Sequence, residues 1–567
     1  MSTKKGAIIM SKKSGNKRRI IKLLGIIIGL LVIAALGYYG FTQFSQSRYA
    51  VPDKYPTIQA AIDAASDGAV IVVEPGVYYE RIDFMGKNIT LRSTDPDDPE
   101  VVAATIIDGR RRSSVVTFQN GESSKAVLQG FTITGGVGTN QTITQVYQEE
   151  ETTTEGYYGG GVLITNGSSP TITGNIIRNN QAGMDGGGIA IQSGSNPIIL
   201  DNTLESNDAF NGGGIAIWKS NPVIENNTVQ ANKANYLGGA ILVDFESAAL
   251  IKGNTIQDNT STNGGGIAVW FAEPLIEGNK ILTNAAIWYG GGIALFDSVA
   301  TIDGNEISRN STDNNGGGIA VAEGSSPVIS NNVIQANFTD QNGGGIAVIE
   351  NSEAIINDNL ITENAVFAGG AGIYIDRSSA ELDRNSITGN LTQQDGGGVA
   401  VIYDATVMMR NNMIDGNVAG RAGGGVVVGE DSTATLIDTT IAGNLSNTGG
   451  GMIVLKSKLD MERCLILENT ADTGSGGGIL LVVKSVAEIR DSIFTGNFAF
   501  ETGGGLVAFE ESRVKLIRND FTANIAQAGG AFIGVGNVSV DVNDPDDNIY
   551  RENVPEDVPA SQPEDEE

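Results

Sequence analysis

Gly212-Gly-Gly-Ile-Ala-Ile-Trp218, Pro222-Val-Ile-Glu-Asn-Asn-Thr-Val-Gln-Ala-Asn232 and Lys233-Ala-Asn-Tyr-Leu-Gly-Gly-Ala-Ile-Leu-Val-Asp244 decide the fold. The apolar runs are three to five residues long, β-branched and alternating, so they read as strands and not helices. Glycine pairs between them would break any helical repeat. A Gly-Gly pair followed by Gly or Ala recurs fifteen times, from Gly159 through Gly369 to Gly529, always at 26 or 27 residues. A fixed period of that size means a solenoid. Three short strands per unit predict one coil of a single-stranded parallel β-helix, each strand pairing with its copies above and below.

Asparagine supports the same geometry. The residue before the variable loop is Asn in fourteen consecutive units, from Asn180 to Asn524. Five residues earlier a second column runs from Asn175 to Asn412, becomes Thr439, Cys464 and Ser492, and returns to Asn519. A side-chain amide both donates and accepts, so stacked copies can bond along the axis at corners. These columns read as structural, and Cys464, the single cysteine, as a buried corner filler.

Outward from the repeats, residues 55–540 form the expected β-helix, with regular units over 159–540. Thr57 caps a helix expected over 57–66 that covers the open first coil. Residues 139–158 form a polar excursion, 42–54 a linker, and 541–567 an acidic tail expected to be disordered. Residues 1–22 hold eight basic residues and no acid, and Leu23 to Phe41 is uncharged and mostly apolar. As a helix that run would measure roughly 28 Å, enough to cross a bilayer. The positive-inside rule then keeps 1–22 cytoplasmic and exports the remainder, giving a single-pass cell-surface protein anchored by its N-terminal helix. A cleaved secretory signal is the other reading. Both export the chain.

Composition removes several chemistries. The chain has 567 residues, 36 Lys+Arg, 66 Asp+Glu and no histidine. No His means no Ser-His-Asp triad and no imidazole acid–base step. One Cys means no internal disulfide and no cysteine-cluster metal site. So acidic a surface repels phosphate backbones, which argues against nucleic acid as a partner. A polysaccharide or a surface protein remains.

Tyr55-Pro-Thr-Ile-Gln-Ala-Ala-Ile-Asp-Ala-Ala65 and Ile71-Val-Val-Glu-Pro-Gly-Val-Tyr-Tyr-Glu80 resemble the opening of pectin methylesterases. Over residues 51–540 the chain is similar to right-handed parallel β-helix proteins of the pectin lyase-like superfamily. Phe521-Thr-Ala-Asn524 followed by Gly529-Gly-Ala-Phe532 resembles the repeats of polymorphic outer-membrane proteins. The resemblance implies a right-handed coil, on the order of 85 Å long for about eighteen turns. It implies no single activity, because this fold hosts enzymes, adhesins and passive stalks. The methylesterase catalytic pattern is echoed only by Asp244-Phe245, and the polygalacturonase and epimerase patterns need a histidine.

A solenoid turns sequence offset into a spatial column. Counted from each glycine triplet, Trp218, Asp244, Trp270 and Phe296 share one outward column, with Trp288 and Tyr289 in a nearby loop. They are the candidate ligand-binding residues, as a sugar-stacking platform or protein-contact patch. The other reading has the tryptophans packed on neighbouring coils. One position on, Asp297, Glu323 and Glu350 align, with Asp376 or Arg377 next. Those acids, with Asp376 as the fourth, are candidate Ca²⁺ ligands, and Arg377 or Lys219 a candidate base. Equally, they read as solvated turn acids with no cofactor. The functional expectation is a non-enzymatic surface for glycan or protein, with a Ca²⁺-dependent lyase of acidic polysaccharides as the alternative.

Overall fold

The computed structural model describes residues 48–147, 150–542 and 548–555. Within them the chain winds into about seventeen parallel coils. One coil shows the plan. Ile215–Trp218 belongs to sheet 1, Val223–Glu225 to sheet 2, Thr228–Gln230 to sheet 3 and Lys233–Leu237 to sheet 4. Each strand pairs in register with its copy one coil on, as Ile215 with Ile241 and Val223 with Leu250. Ile215, Ile217, Ile224 and Val229 point inward and are fully buried, and their equivalents stack into one continuous apolar core.

The fourth strand corrects the expected three per coil. Twelve coils carry it, from Asp208–Asn211 to Phe498–Ala499. The loops that vary in sequence hardly vary in length, so their backbones stack at the coil spacing and satisfy one another's polar groups. The glycines then close the coil. Gly238 has φ +64°, and a Cβ on Gly239 would lie 2.2 Å from the Gly265 carbonyl oxygen. In the coil near residue 370, Gly370-Ala-Gly372 takes this corner instead of a triplet starting at Gly369, with Gly370 at φ +61°.

The asparagine ladders run from Asn175 and Asn180 to Asn548 and Asn553. Asn232 Oδ1 accepts from Asn207 N and Nδ2, both at 3.0 Å. Its own Nδ2 donates to Leu204 O at 2.9 Å and Asn259 Oδ1 at 3.0 Å. Cys464 replaces one rung. It is fully buried, donates to Glu462 O at 3.3 Å, and burial pushes its thiol up to about 12.

Helix Ile58–Ala64 lies over the first coils with Ile58, Ala61 and Ile62 buried, and the Thr57 hydroxyl accepts from Ala60 N at 3.1 Å. A further short helix, Pro99–Ala104, is capped by Asp98. In the polar excursion Thr139–Tyr147 pairs antiparallel with Glu150–Tyr158. At the other end the coil runs past residue 540, where the acidic tail was expected to begin. Ile549–Arg551 pairs with Asp520–Thr522, and Asn548 and Asn553 accept from Asn519 N and Asn524 N at 2.8 and 2.9 Å. Asparagine side chains at the ladder spacing hold this last coil despite its acidity. Among the described residues no helix is long and apolar enough to cross a membrane. The apolar run 23–41 lies outside the described residues.

Candidate binding surface

Sheet 1 turns its fourth residues outward in one register: Gln192, Trp218, Asp244, Trp270, Phe296 and Ala322. Its second residues also face outward, and most are small. Ala216, Ala268 and Ala294 leave room for the end of sheet 4 to fold over them. The result is a second apolar seam outside the core, holding Leu237, Leu242 and Phe296, with Trp270 and Tyr289 against it.

Aromatic rings form a chain along this seam. Phe210 and Tyr236 have centroids 6.0 Å apart, Tyr236 meets Trp270 edge-on at 6.0 Å, and Trp270 meets Phe296 at 6.1 Å. Tyr289 meets Phe296 at 5.8 Å, and Phe271 stacks on Trp270 at 6.0 Å. The exposed members are Phe210 and Tyr236, and Trp288, beside Tyr289 in the same strand, is 53% exposed. This revises the expected platform. Phe296 is only 4% exposed, while Trp218 and Trp270 are half-buried. The seam beneath sheet 4 draws in Phe296 and Trp270, and Trp270 Nε1 is buried with no hydrogen-bond partner.

Carboxyl groups in this stretch are desolvated. Asp185, Gln192, Trp218 and Asp244 line one narrow cleft. Burial, and then the negative charge of Asp185, pushes Asp244 up to about 8. Burial pushes Asp185 itself up to about 6, against a hydrogen bond from Asn211 Nδ2 at 3.0 Å. Gln192 is buried, and its Oε1 has no partner.

A family comparison fits this geometry. The profile of the right handed beta helix region matches residues 111–281, 236–387 and 366–521, well over half of the chain. The chain belongs to that β-helix family. No protein of curated function matches this β-helix. Among solved structures it is similar to a PL6 family alginate lyase, AlyGC, at 11% identity and a TM-score of 0.25, covering 86% of this chain and 98% of the other.

Three acids of the expected metal column line up, and the fourth does not. Asp297, Glu323 and Glu350 share the left-handed corner after sheet 1, but the next residue in that corner is Arg377, not Asp376. The reason is the shifted triplet, which places Asp376 at the end of the strand, opposite Ile402. Among the described residues no three acidic or cysteine side chains gather as a metal ion would require. Burial and the neighbouring acids Glu350 and Asp297 hold the Glu323 carboxyl above its ordinary range, and burial does the same for Asp297. Tyr289 Oη donates to Glu350 Oε1 at 3.0 Å, two coils away, and burial and these acids push its phenol up to about 12.

The candidate bases are occupied. Arg377 Nε lies 3.2 Å from Asp376 Oδ1, and its guanidinium sits 5.4 Å from the Tyr403 ring centroid. Tyr374 Oη donates to Asp376 Oδ2 at 3.2 Å. Burial raises the Asp376 carboxyl, with Arg377 and Tyr374 opposing. Lys219 Nζ lies 3.8 Å from Glu246 and within 5.1 Å of the centroids of both the Trp218 and Phe245 rings.

Sequence reading missed Phe210 and Tyr236, although both stand two residues before a glycine pair, like Trp288. It also missed Phe271, one residue after Trp270, and Asp185 and Gln192, which flank a triplet.

Proposed function

We propose that this β-helix is an exported, membrane-anchored cell-surface protein that binds a linear polysaccharide along the outer seam between sheets 1 and 4, without turning it over. The carrying observation is the exposed ring column Phe210, Tyr236 and Trp288, backed by half-buried Trp270 and flanked by acids. Coils repeat at about 4.8 Å, so Phe210 and Tyr236 on adjacent coils, and Trp288 two coils beyond Tyr236 with Thr262 between, meet a sugar chain at multiples of that step. An aromatic face stacks on the apolar face of a pyranose, and neighbouring carboxyls accept its hydroxyls. The basic segment 1–22 and apolar run 23–41 support the anchor.

The lyase alternative needs a cation among Asp297, Glu323 and Glu350 and a free base. Instead Arg377 and Lys219 are held by carboxylates and rings, which favours binding over turnover. The test is a glycan array probed with the full chain in detergent. Trp288→Ala is expected to weaken the retained glycan about tenfold, the loss of roughly 1.4 kcal/mol. Incubation of uronic-acid polymers with Ca²⁺ should give no ultraviolet-absorbing unsaturated product. Product formation that is lost in Arg377→Ala would overturn the reading.

A further inference from the structure

On this acidic chain one depression runs the other way. Tyr79, Glu80, Arg81, Gly109, Arg110 and Arg112 line a hollow of about 240 Å³ on the first coils. Elsewhere arginines find carboxylates one coil away, as Arg384 does with Asp358, Arg463 with Asp438 and Arg518 with Asp491. Arg81, Arg110 and Arg112 form no ion pair among the described residues. The one carboxylate in the lining, Glu80, is directed elsewhere: its two oxygens accept from Ile58 N at 2.9 Å and Gln59 N at 3.0 Å, at the start of the cap helix.

The hollow is also built. Arg110 and Arg111 both have left-handed backbones, with φ of 50° and 56°. Asp108 Oδ1 accepts from Arg110 N at 2.8 Å, and Arg111 N donates to Gly135 O at 2.7 Å. The Arg110 guanidinium stacks 3.8 Å from the Tyr79 ring centroid, and Arg111 turns away to Gln181 Oε1 at 3.1 Å. Arg110 and Arg112 come from this turn and Arg81 from the coil before it, and like charges gathered so repel unless an anion lies between them; the Tyr79 ring holds the Arg110 guanidinium in place, which lowers the ordering cost of binding one.

We propose that Arg81, Arg110 and Arg112, beside Tyr79, form a receptor for a phosphate group. Three guanidinium forks present more donors than a planar carboxylate can take, whereas a phosphate monoester offers about three strong acceptor oxygens. The phosphate can come from a soluble ester or from a phospholipid headgroup, and the site is independent of the glycan seam.

Calorimetry on the full chain in detergent at low salt tests it, with inorganic phosphate as the probe. Saturable binding is expected. It should weaken at least about tenfold in an Arg110→Gln, Arg112→Gln double variant and, separately, in Arg81→Gln, and remain unchanged in Arg421→Gln, whose guanidinium pairs with Asp395. Each variant must keep the wild-type melting temperature, and Arg112→Lys, which keeps charge but not the fork, should fall between. Competition by glycerol 3-phosphate assigns a soluble ester, and competition only by micelles doped with phosphatidic acid, whose headgroup is a phosphate monoester, assigns a headgroup. No saturable phosphate binding, or equal binding in the double variant and wild type, overturns the proposal.

Discussion

The coils from Asp185 to Phe296 and those from Asp358 to Arg518 share one core, one corner glycine plan and one asparagine ladder, yet charge is handled in opposite ways on two sides of the coil: along the seam of sheets 1 and 4 in the first, and at the corner between sheets 2 and 3 in the second. In the first region carboxyls are desolvated: Asp185 is pushed up to about 6 and Asp244 to about 8. Trp270 Nε1 and Gln192 Oε1 lack partners. In the second region acids and arginines on successive coils neutralise each other. Arg384, Arg463 and Arg518 hold Asp358, Asp438 and Asp491 below the usual carboxylate range. The seam leaves Trp270 Nε1 and Gln192 Oε1 unsatisfied beside its rings, as a ligand site does, while the corner between sheets 2 and 3 pairs its charges one coil apart.

If the two regions differ only outside, the ladder should cost the same in both. Asn232→Ala and Asn444→Ala each remove a buried side chain that serves neighbours on two coils. Several buried groups lose partners at once, so denaturant unfolding should show about 3–5 kcal/mol lost in each. A large difference between the two variants would break the shared-core half of the comparison.

The faces should then separate by pH. A carboxyl raised in the folded state stabilises the fold below its unfolded pKa, and that stabilisation is lost as pH rises through the folded value. For Asp244 the window runs from 3.8 to about 8. Amide protection in strands Ile215–Trp218 and Ile241–Asp244, taken relative to the base-catalysed intrinsic exchange at each pH, should therefore fall across that range, and Asp244→Asn should flatten the profile. An unchanged profile in the variant would remove Asp244 as its cause.

Trp270→Phe sharpens the account of the first face. It removes a buried unpartnered N–H and a little packed surface, so thermal melting should move by no more than the equivalent of about 1 kcal/mol in either direction. A large loss would show that Nε1 has a partner after all. The smallest effect belongs to the second face. Arg463→Gln should lower stability slightly at neutral pH, and the difference from wild type should vanish in acid, as Asp438 is protonated through its depressed pKa. It should also shrink at high salt.

The columns were legible because a solenoid converts a 26- or 27-residue period into contact, and inward isoleucines and corner asparagines must recur at fixed offsets. Register failed at Ala368-Gly-Gly-Ala-Gly372, where a run of small residues fits the corner in two ways and only the packing of Ile373 and Ile375 decides. The fourth strand was hidden because loop residues such as Lys233–Leu237 pair through backbone and carry no alternation. Of the candidate site, the Trp218 to Phe296 column followed from offset alone. Its burial did not, since it depends on the small alanines that let sheet 4 close over it. The arginine hollow was illegible because the first coils lack the period.

The most direct test of the binding-seam reading is amide exchange of the full chain with and without the glycan it retains best on an array. Slowed exchange confined to strands Asp208–Asn211, Lys233–Leu237 and Ala285–Tyr289, with Leu445–Thr448 and Lys458–Glu462 unaffected, is the predicted result. Protection centred on the arginine–aspartate face, or no protection anywhere, would contradict it.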